Sequence, residues 1–103
     1  MAKFLDGKVT AVVGSHTHIP TNDCHIMKGG TAYQTDAGMC GDYDSVIGME
    51  KNVPIQIFLH KRKTDRMQPA SQEATFCACL IQTNQQGLAT SITPIKLGGV
   101  IGV

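Results

Sequence analysis

Two histidines separated by a single residue are the side chains in this sequence best suited to metal chemistry. They lie in the run Gly-Ser-His-Thr-His, residues 14–18, directly after the apolar run Val9–Val13. That run predicts a buried strand, and Gly14 gives the backbone freedom to turn where the strand ends. Residues two apart in an extended loop point the same way, with Thr17 pointing away between the histidines. His16 and His18 are therefore candidate ligands of one metal ion, or of two ions roughly 3.5–4 Å apart.

Other interpretations of these residues stay open. A pair of histidines near a turn is often only a solvated polar loop, since complete zinc signatures need more ligands at defined offsets. Cys24 and His25 follow closely in the sequence. Consecutive strand residues face opposite sides, however, so a four-ligand zinc site that includes both is disfavoured.

Three further blocks follow the histidine motif in order, and together they carry a family resemblance. They are Gly30–Tyr33, Thr35–Met39 and Tyr43–Met49. With the preceding strand and the Gly-Ser-His-Thr-His motif, they resemble the calcineurin-like metallophosphoesterases, and in particular a bacterial branch of small cyclic-nucleotide phosphodiesterases. The specific matches run from Phe4 to about Leu59, and a weaker resemblance extends to about Leu97.

The resemblance implies an α+β fold: the C-terminal portion of a calcineurin-like α/β/β/α sandwich, mostly strands, with one helix after the long glycine-containing loop. It implies hydrolysis of 2',3'- or 3',5'-cyclic nucleotides, or of another phosphodiester, through two metal ions, Fe, Mn or Zn. His16 and His18 would be metal ligands. Thr17, Asp36 and Ser45 would contact the substrate or orient the ligands, as would Asp42 and Asp44. The four residues other than Thr17 are equally compatible with a solvated, turn-rich loop.

Several motifs of that family have no counterpart here. The family also uses an N-terminal Asp, a further carboxylate or amide, another His, and an Asn-His pair that supplies a ligand and the general acid. We therefore expect residues 1–103 to form a partial metallophosphoesterase domain whose partner is the missing N-terminal half. The alternative is a non-catalytic metal-binding or interaction remnant of a split or truncated gene.

Composition narrows the function classes. The chain has 103 residues, 42% of them hydrophobic and 17% charged, which is typical of one small globular domain. A net charge of +1 and only 5% aromatic residues argue against a dedicated nucleic-acid surface. No apolar run reaches the length of a membrane span and no signal peptide is evident, so we expect a cytoplasmic protein with reduced thiols. A homo-oligomer is compatible with the sequence.

The remaining elements follow from local patterns. We expect a short strand at residues 24–27, a turn at Lys28-Gly29-Gly30 that favours a hairpin, a strand at 31–36 and a functional loop at 37–49. A helix should begin near Pro54 and end near residues 61–63, and a polar connector should follow at 64–73. Strands at 74–82 and 88–97, joined by a turn, should come next, with Pro94 marking the second as an edge strand or a bulge, before a poorly ordered tail at 98–103.

Side-chain patterns make three further predictions about the second half of the chain. Ile55, Phe58 and Leu59 recur at helical spacing and should face the core. The basic cluster at residues 60–63 is best explained as a solvated helix end. Cys77 and Cys79 should be core residues of a strand buried on both faces, and a disulfide scaffold is disfavoured.

Overall fold

The computed structural model describes residues 1–62 and 65–103 and has an α+β architecture built mainly from strands, which confirms the predicted fold class. The strands form two three-stranded sheets, ordered β1-β3-β2 and β4-β5-β6. The elements are α1 (Ala2–Leu5), β1 (Ala11–Val13), β2 (His25–Ile26), β3 (Ala32–Gln34), β4 (Gly41–Asp42), α2 (Asn52–His60), β5 (Ala74–Thr83) and β6 (Ala89–Leu97).

The chain divides into two compact units. We call Met1–Gly38 with Cys77–Ile95 the first unit, and Met39–Phe76 with Lys96–Val103 the second unit. The predicted motifs divide between them: the histidine pair and Asp36 lie in the first unit, and Ser45 lies in the second.

The first sheet is built around β3. It pairs in parallel with β1, where Val13 lies opposite Gln34, and antiparallel with β2, where His25 lies opposite Tyr33. The predicted hairpin is confirmed by the bond from the Gly30 amide to the Met27 carbonyl oxygen. Ala32 and Gln34 of β3 are buried, so β3 is the centre of this sheet both in its pairing and in its packing.

The strand β1 is shorter and more exposed than the sequence predicts. It spans Ala11–Val13 and is half-buried, with Val13 40% exposed. The carbonyl of Val9 accepts the Thr31 hydroxyl at 2.7 Å, and the Thr10 hydroxyl bonds the Gly87 carbonyl at 2.6 Å. These residues are thus tied to neighbouring segments by side-chain bonds, and the apolar run at 9–13 overstated both strand length and burial.

The strand β5 corrects a second prediction. Thr75 and Cys77 are buried, while Phe76 and Leu80 are 51% and 55% exposed, so the strand is not buried on both faces. Cys77 is a core residue as predicted, but Cys79 is only half-buried. Apolar residues on both faces of a strand do not reveal which face the rest of the chain covers.

Two segments that were predicted to be irregular, residues 37–49 and 98–103, contain more structure than expected. The predicted loop at 37–49 holds β4, which pairs antiparallel with β5 and places Gly41 opposite Thr75. The tail at 98–103 turns back, and the Val103 amide bonds the Lys96 carbonyl at 3.2 Å, so the expectation of disorder there is wrong. Pro94 lies in β6, which is an edge of its sheet as predicted.

The helix α2 is present, but its predicted packing is wrong. It begins at Asn52, so Pro54 is its third residue, and it ends at His60 with Lys61 in the left-handed conformation. None of its residues is buried, and Phe58 is 83% exposed. The periodicity of Ile55, Phe58 and Leu59 defined an apolar face, but the described chain does not cover that face. Lys63 and Thr64, at the predicted helix end and connector start, lie outside the described residues.

No helix in the described part of the chain combines the length and apolar character needed to cross a membrane.

Candidate metal centre

The segment that carries the two histidines, residues 14–20, is called the histidine loop below. Its first residue is held tightly against the neighbouring strand end: the Gly14 amide donates to the Gln34 carbonyl at 3.1 Å, and the Ala37 amide donates to the Gly14 carbonyl at 2.8 Å. A Cβ at position 14 would overlap the Thr35 carbonyl oxygen. Glycine is therefore needed here for close backbone approach, and not for the turning freedom that the sequence suggested.

The far end of the histidine loop is fastened to the same segment. Pro20 forms a bridge with Ala37. The Thr21 amide donates to the Asp36 carbonyl at 2.9 Å, and the Asp36 amide donates to the Thr21 hydroxyl at 3.0 Å. Both ends of the loop are thus fixed to residues 34–37.

The Asp36 carboxylate lies beneath the histidine loop and is 1% exposed. Its Oδ2 accepts the amides of His16 (2.8 Å) and Thr17 (2.5 Å) and the Thr17 hydroxyl (2.7 Å). Its Oδ1 accepts the Gly38 amide at 2.8 Å. These bonds, led by the Thr17 hydroxyl, hold the pKa of Asp36 far below its ordinary value of 3.8, so the carboxylate is ionised.

The backbone at His18 is unusual, with φ at 69° in the left-handed region. Residues other than glycine seldom adopt this conformation, which costs roughly 1–2 kcal/mol, although histidine does so more often than most. The Thr17 hydroxyl lies next to the kink, 3.2 Å from the carbonyl oxygen and 3.3 Å from the amide nitrogen of Ile19. His16 is exposed and His18 is half-buried, so neither imidazole is packed in the core.

Two imidazoles on a fixed loop fit part of a transition-metal site, since neutral histidine nitrogens suit Zn, Fe and Mn. In residues 1–62 and 65–103, no cluster of three or more His, Cys, Asp or Glu side chains could hold an ion. The chain thus offers two candidate ligands, and a complete site needs further donors. The ligand roles of His16 and His18 stay predictions.

Ser45 occupies a different setting, in the second unit. Its hydroxyl donates to the Asp42 carbonyl at 2.5 Å and accepts the Gly48 amide at 2.9 Å. Both bonds stabilise the turn at residues 42–48. The alternative of a locally capped turn therefore accounts for this serine without a substrate.

The sequence did not predict the hydrogen bonds by which Asp23 joins Thr21 to Thr35. Its carboxylate accepts the hydroxyls of Thr21 at 2.6 Å and Thr35 at 2.5 Å, which lower its pKa from 3.8 to about 2. The spacing Thr21-Asn22-Asp23 was the available signal, because carboxylates and hydroxyls two residues apart commonly close turns.

The neighbours of Asp23 do not form the zinc site considered for Cys24 and His25. His25 is exposed, and its Nδ1 donates to the Asp23 carbonyl at 2.7 Å. Cys24 is half-buried, and burial raises the pKa of its thiol, with a further contribution from Cys79. None of the four cysteines, all of which are described, forms a disulfide.

Comparisons with known proteins bear on this site. The profile of the family described as "YmdB-like protein" matches residues 1–95. A Bacillus subtilis protein named "2',3'-cyclic-nucleotide 2'-phosphodiesterase" is 49% identical over 55 residues, which are 53% of this chain and 21% of that protein. The match to this curated relative thus spans about a fifth of its length.

Two solved structures share the fold. A hypothetical protein from Thermus thermophilus is 37% identical with a TM-score of 0.84, over 96% of this chain and 38% of its own. A Mycoplasma pneumoniae protein described as a novel phosphatase is 28% identical with a TM-score of 0.85, over 94% of this chain and 35% of its own. The family resemblance noted in the sequence is thereby confirmed.

Proposed function

Because the chain belongs to the YmdB-like protein family, we propose that it supplies part of a metal-dependent phosphodiesterase site acting on cyclic nucleotides. His16 and His18 would bind one or both of two divalent or trivalent ions, with Fe, Mn and Zn as the candidates. The named activity of the Bacillus subtilis relative makes a 2',3'-cyclic nucleotide the favoured substrate. We propose 3',5'-cyclic nucleotides as the second substrate class to be assayed.

One observation carries this proposal: the histidine loop is fastened at both ends to residues 34–37 and from below by Asp36. A loop held in this way, with a left-handed histidine, is typical of a functional site, where strain is maintained by the surrounding bonds. Bound metal ions would lower the pKa of a water molecule and stabilise charge on the attacking and leaving oxygens. This chain's contribution would be to orient two imidazoles.

Hydrolysis by this site would add water across one P–O bond of the cyclic diester. The oxygen that leaves phosphorus takes up a proton and becomes a hydroxyl group, and the product is a nucleoside monophosphate. A general acid for that proton is not among the residues assigned here, and its absence costs about 10²–10⁴-fold in rate. We therefore expect no measurable turnover by the 103-residue chain alone.

The test is a hybrid enzyme. The segment of the Bacillus subtilis relative that matches this chain is replaced by this chain's residues, and release of monophosphate is measured with added Mn²⁺. We expect the hybrid to be active and both His16→Ala and His18→Ala to abolish turnover. His25→Ala, at an exposed histidine bonded to a backbone carbonyl, is the matched control and should stay active.

A second function, the non-catalytic remnant, is favoured by the lack of a three-donor cluster within the described residues. An inactive hybrid that folds and binds no metal at His16 and His18 would support it. Robust turnover by the 103-residue chain alone would contradict the incomplete-site proposal.

A further inference from the structure

We propose that Asp36 is a positioning residue, which together with Thr17 holds the histidine loop in the shape in which His16 and His18 bind metal. The inference rests on the proposed function, because it concerns the same two histidines. It assigns to the carboxylate a role in metal affinity that is exerted through the backbone of the loop and without contact with the ion.

The hydrogen bonds of Asp36 point to this role. Three donors, all from the histidine loop, approach Oδ2, and the Gly38 amide approaches Oδ1. The group is also almost completely buried. It is thus committed to the loop, as are the amide and hydroxyl of Thr17, and a direct contact of either residue with substrate is disfavoured.

The donors themselves explain why the histidines would be affected. One is the main-chain amide of His16, and two belong to Thr17, the residue between the histidines. The next residue, His18, adopts the costly left-handed conformation. Fixing the backbone on one side of this kink sets the direction in which both imidazoles leave the chain.

Preorganisation links that geometry to affinity. A flexible loop would lose backbone entropy for each residue ordered on metal binding. A loop already held by Asp36 avoids much of this cost. Partners that orient metal ligands commonly change affinity by about 10–100-fold when removed.

A second carboxylate in the same unit provides the control. Asp23 accepts the Thr35 hydroxyl in a bond as short as those of Asp36, but none of its hydrogen-bond donors lies in residues 14–20. Thr35→Val removes this threonine–carboxylate bond, together with a hydroxyl contact to Tyr33, and leaves the side chains of the histidine loop unchanged. Thr17→Val removes the corresponding bond at the loop itself.

The experiment titrates the full 103-residue chain with Mn²⁺ alone and follows the imidazole Hε1 NMR signals of His16, His18, His25 and His60. Mn²⁺ broadens the signals of nearby protons, so binding at the loop should broaden His16 and His18 together, before the other two. We expect Thr17→Val to weaken this paired binding by about tenfold or more. Thr17→Ser, which keeps the hydroxyl, should restore it, and Thr35→Val should leave it unchanged. Asp36→Asn is the second variant, so that the test does not depend on one protein folding.

Each result decides something different. Equal Mn²⁺ affinity in the wild type, Thr17→Val and Asp36→Asn would overturn the positioning role and leave the proposed metal site intact. An equal loss in Thr17→Val and Thr35→Val would also overturn it, since the effect would then be a general loss of stability. If the wild-type chain shows no paired broadening of His16 and His18, this inference fails, while the proposed metal site is judged separately by metal binding and turnover in the hybrid enzyme.

Discussion

Two completely buried threonines, one in each unit, differ in what their hydroxyls do. In the first unit, the Thr31 hydroxyl accepts the Gly7 amide at 2.8 Å and donates to the Val9 carbonyl at 2.7 Å. In the second unit, the Thr75 hydroxyl has no hydrogen-bond partner among the described residues. A buried threonine hydroxyl thus joins two backbone segments by hydrogen bonds in the first unit. In the second unit the equally buried hydroxyl makes no hydrogen bond among the described residues.

The difference shows that burial alone does not measure what a polar side chain contributes. Even within the first unit, the buried Gln34 amide donates to the Thr21 carbonyl, while its Oε1 has no partner among the described residues. The contribution of each group depends on its partners, and the two units offer matched pairs for measuring it.

Glycines should give the largest contrast between the units. Gly14→Ala places a Cβ against the Thr35 carbonyl oxygen, which belongs to rigid backbone, and should destabilise the fold by about 3 kcal/mol. Gly41→Ala in the second unit meets only the flexible Met39 side chain, at 3.7 Å, and should change stability by less than about 1 kcal/mol. Urea denaturation measures both, and a Gly14→Ala protein as stable as Gly41→Ala would refute the close approach.

The threonine pair should give the next largest effect. Thr31→Val leaves the Gly7 amide without its acceptor, and we expect a loss of about 1–3 kcal/mol in the free energy of unfolding. Thr75→Val keeps the shape and removes a hydroxyl that has no partner, so it should be neutral or stabilising. Thermal denaturation of the two variants side by side tests this. A marked loss with Thr75→Val would mean that its hydroxyl has a partner in solution.

Carboxylates should give the smallest contrast, and it should depend on pH. Folding lowers the pKa of Asp23 from 3.8 to about 2, so the stability that its charge contributes is present above about pH 4. It is lost as the pH falls from there toward about 2. The difference in urea midpoint between the wild type and Asp23→Asn should therefore be largest near neutral pH and shrink in acid.

Asp44→Asn is the matched control in the second unit. Asp44 pairs with Lys51 at 2.8 Å, and this bond raises the pKa of Lys51, but both side chains are largely exposed. Solvent screening leaves such an exposed pair with little effect on stability. If Asp44→Asn costs more than Asp23→Asn at neutral pH, the ranking of the two carboxylates is wrong.

Much of the fold could be predicted because its signals are local. Glycine and proline punctuation located the hairpin at residues 28–30, the turn after β5 and the edge strand with Pro94. Pro54 and helical periodicity located α2 to within two residues at its start and three at its end. Which apolar face is covered could not be predicted: Phe58 and Phe76 are both exposed, since burial depends on what else packs against a segment.

The features of the candidate site likewise separate into those specified by one short segment and those created by long-range contacts. The family, the pair His16 and His18 and the strand that leads to them could all be predicted, because residue type and spacing are properties of one short segment. The contact of Asp36 with Thr17, nineteen residues away in the sequence, and that of Asp23 with Thr35 arise from folding. The tertiary structure also revealed that Gly14 is required by the Thr35 carbonyl. The contacts of Asp36 and Gly14 depend on the parallel pairing of β1 with β3, and that of Asp23 on the antiparallel pairing of β2 with β3. Such long-range pairing leaves no mark at either residue alone.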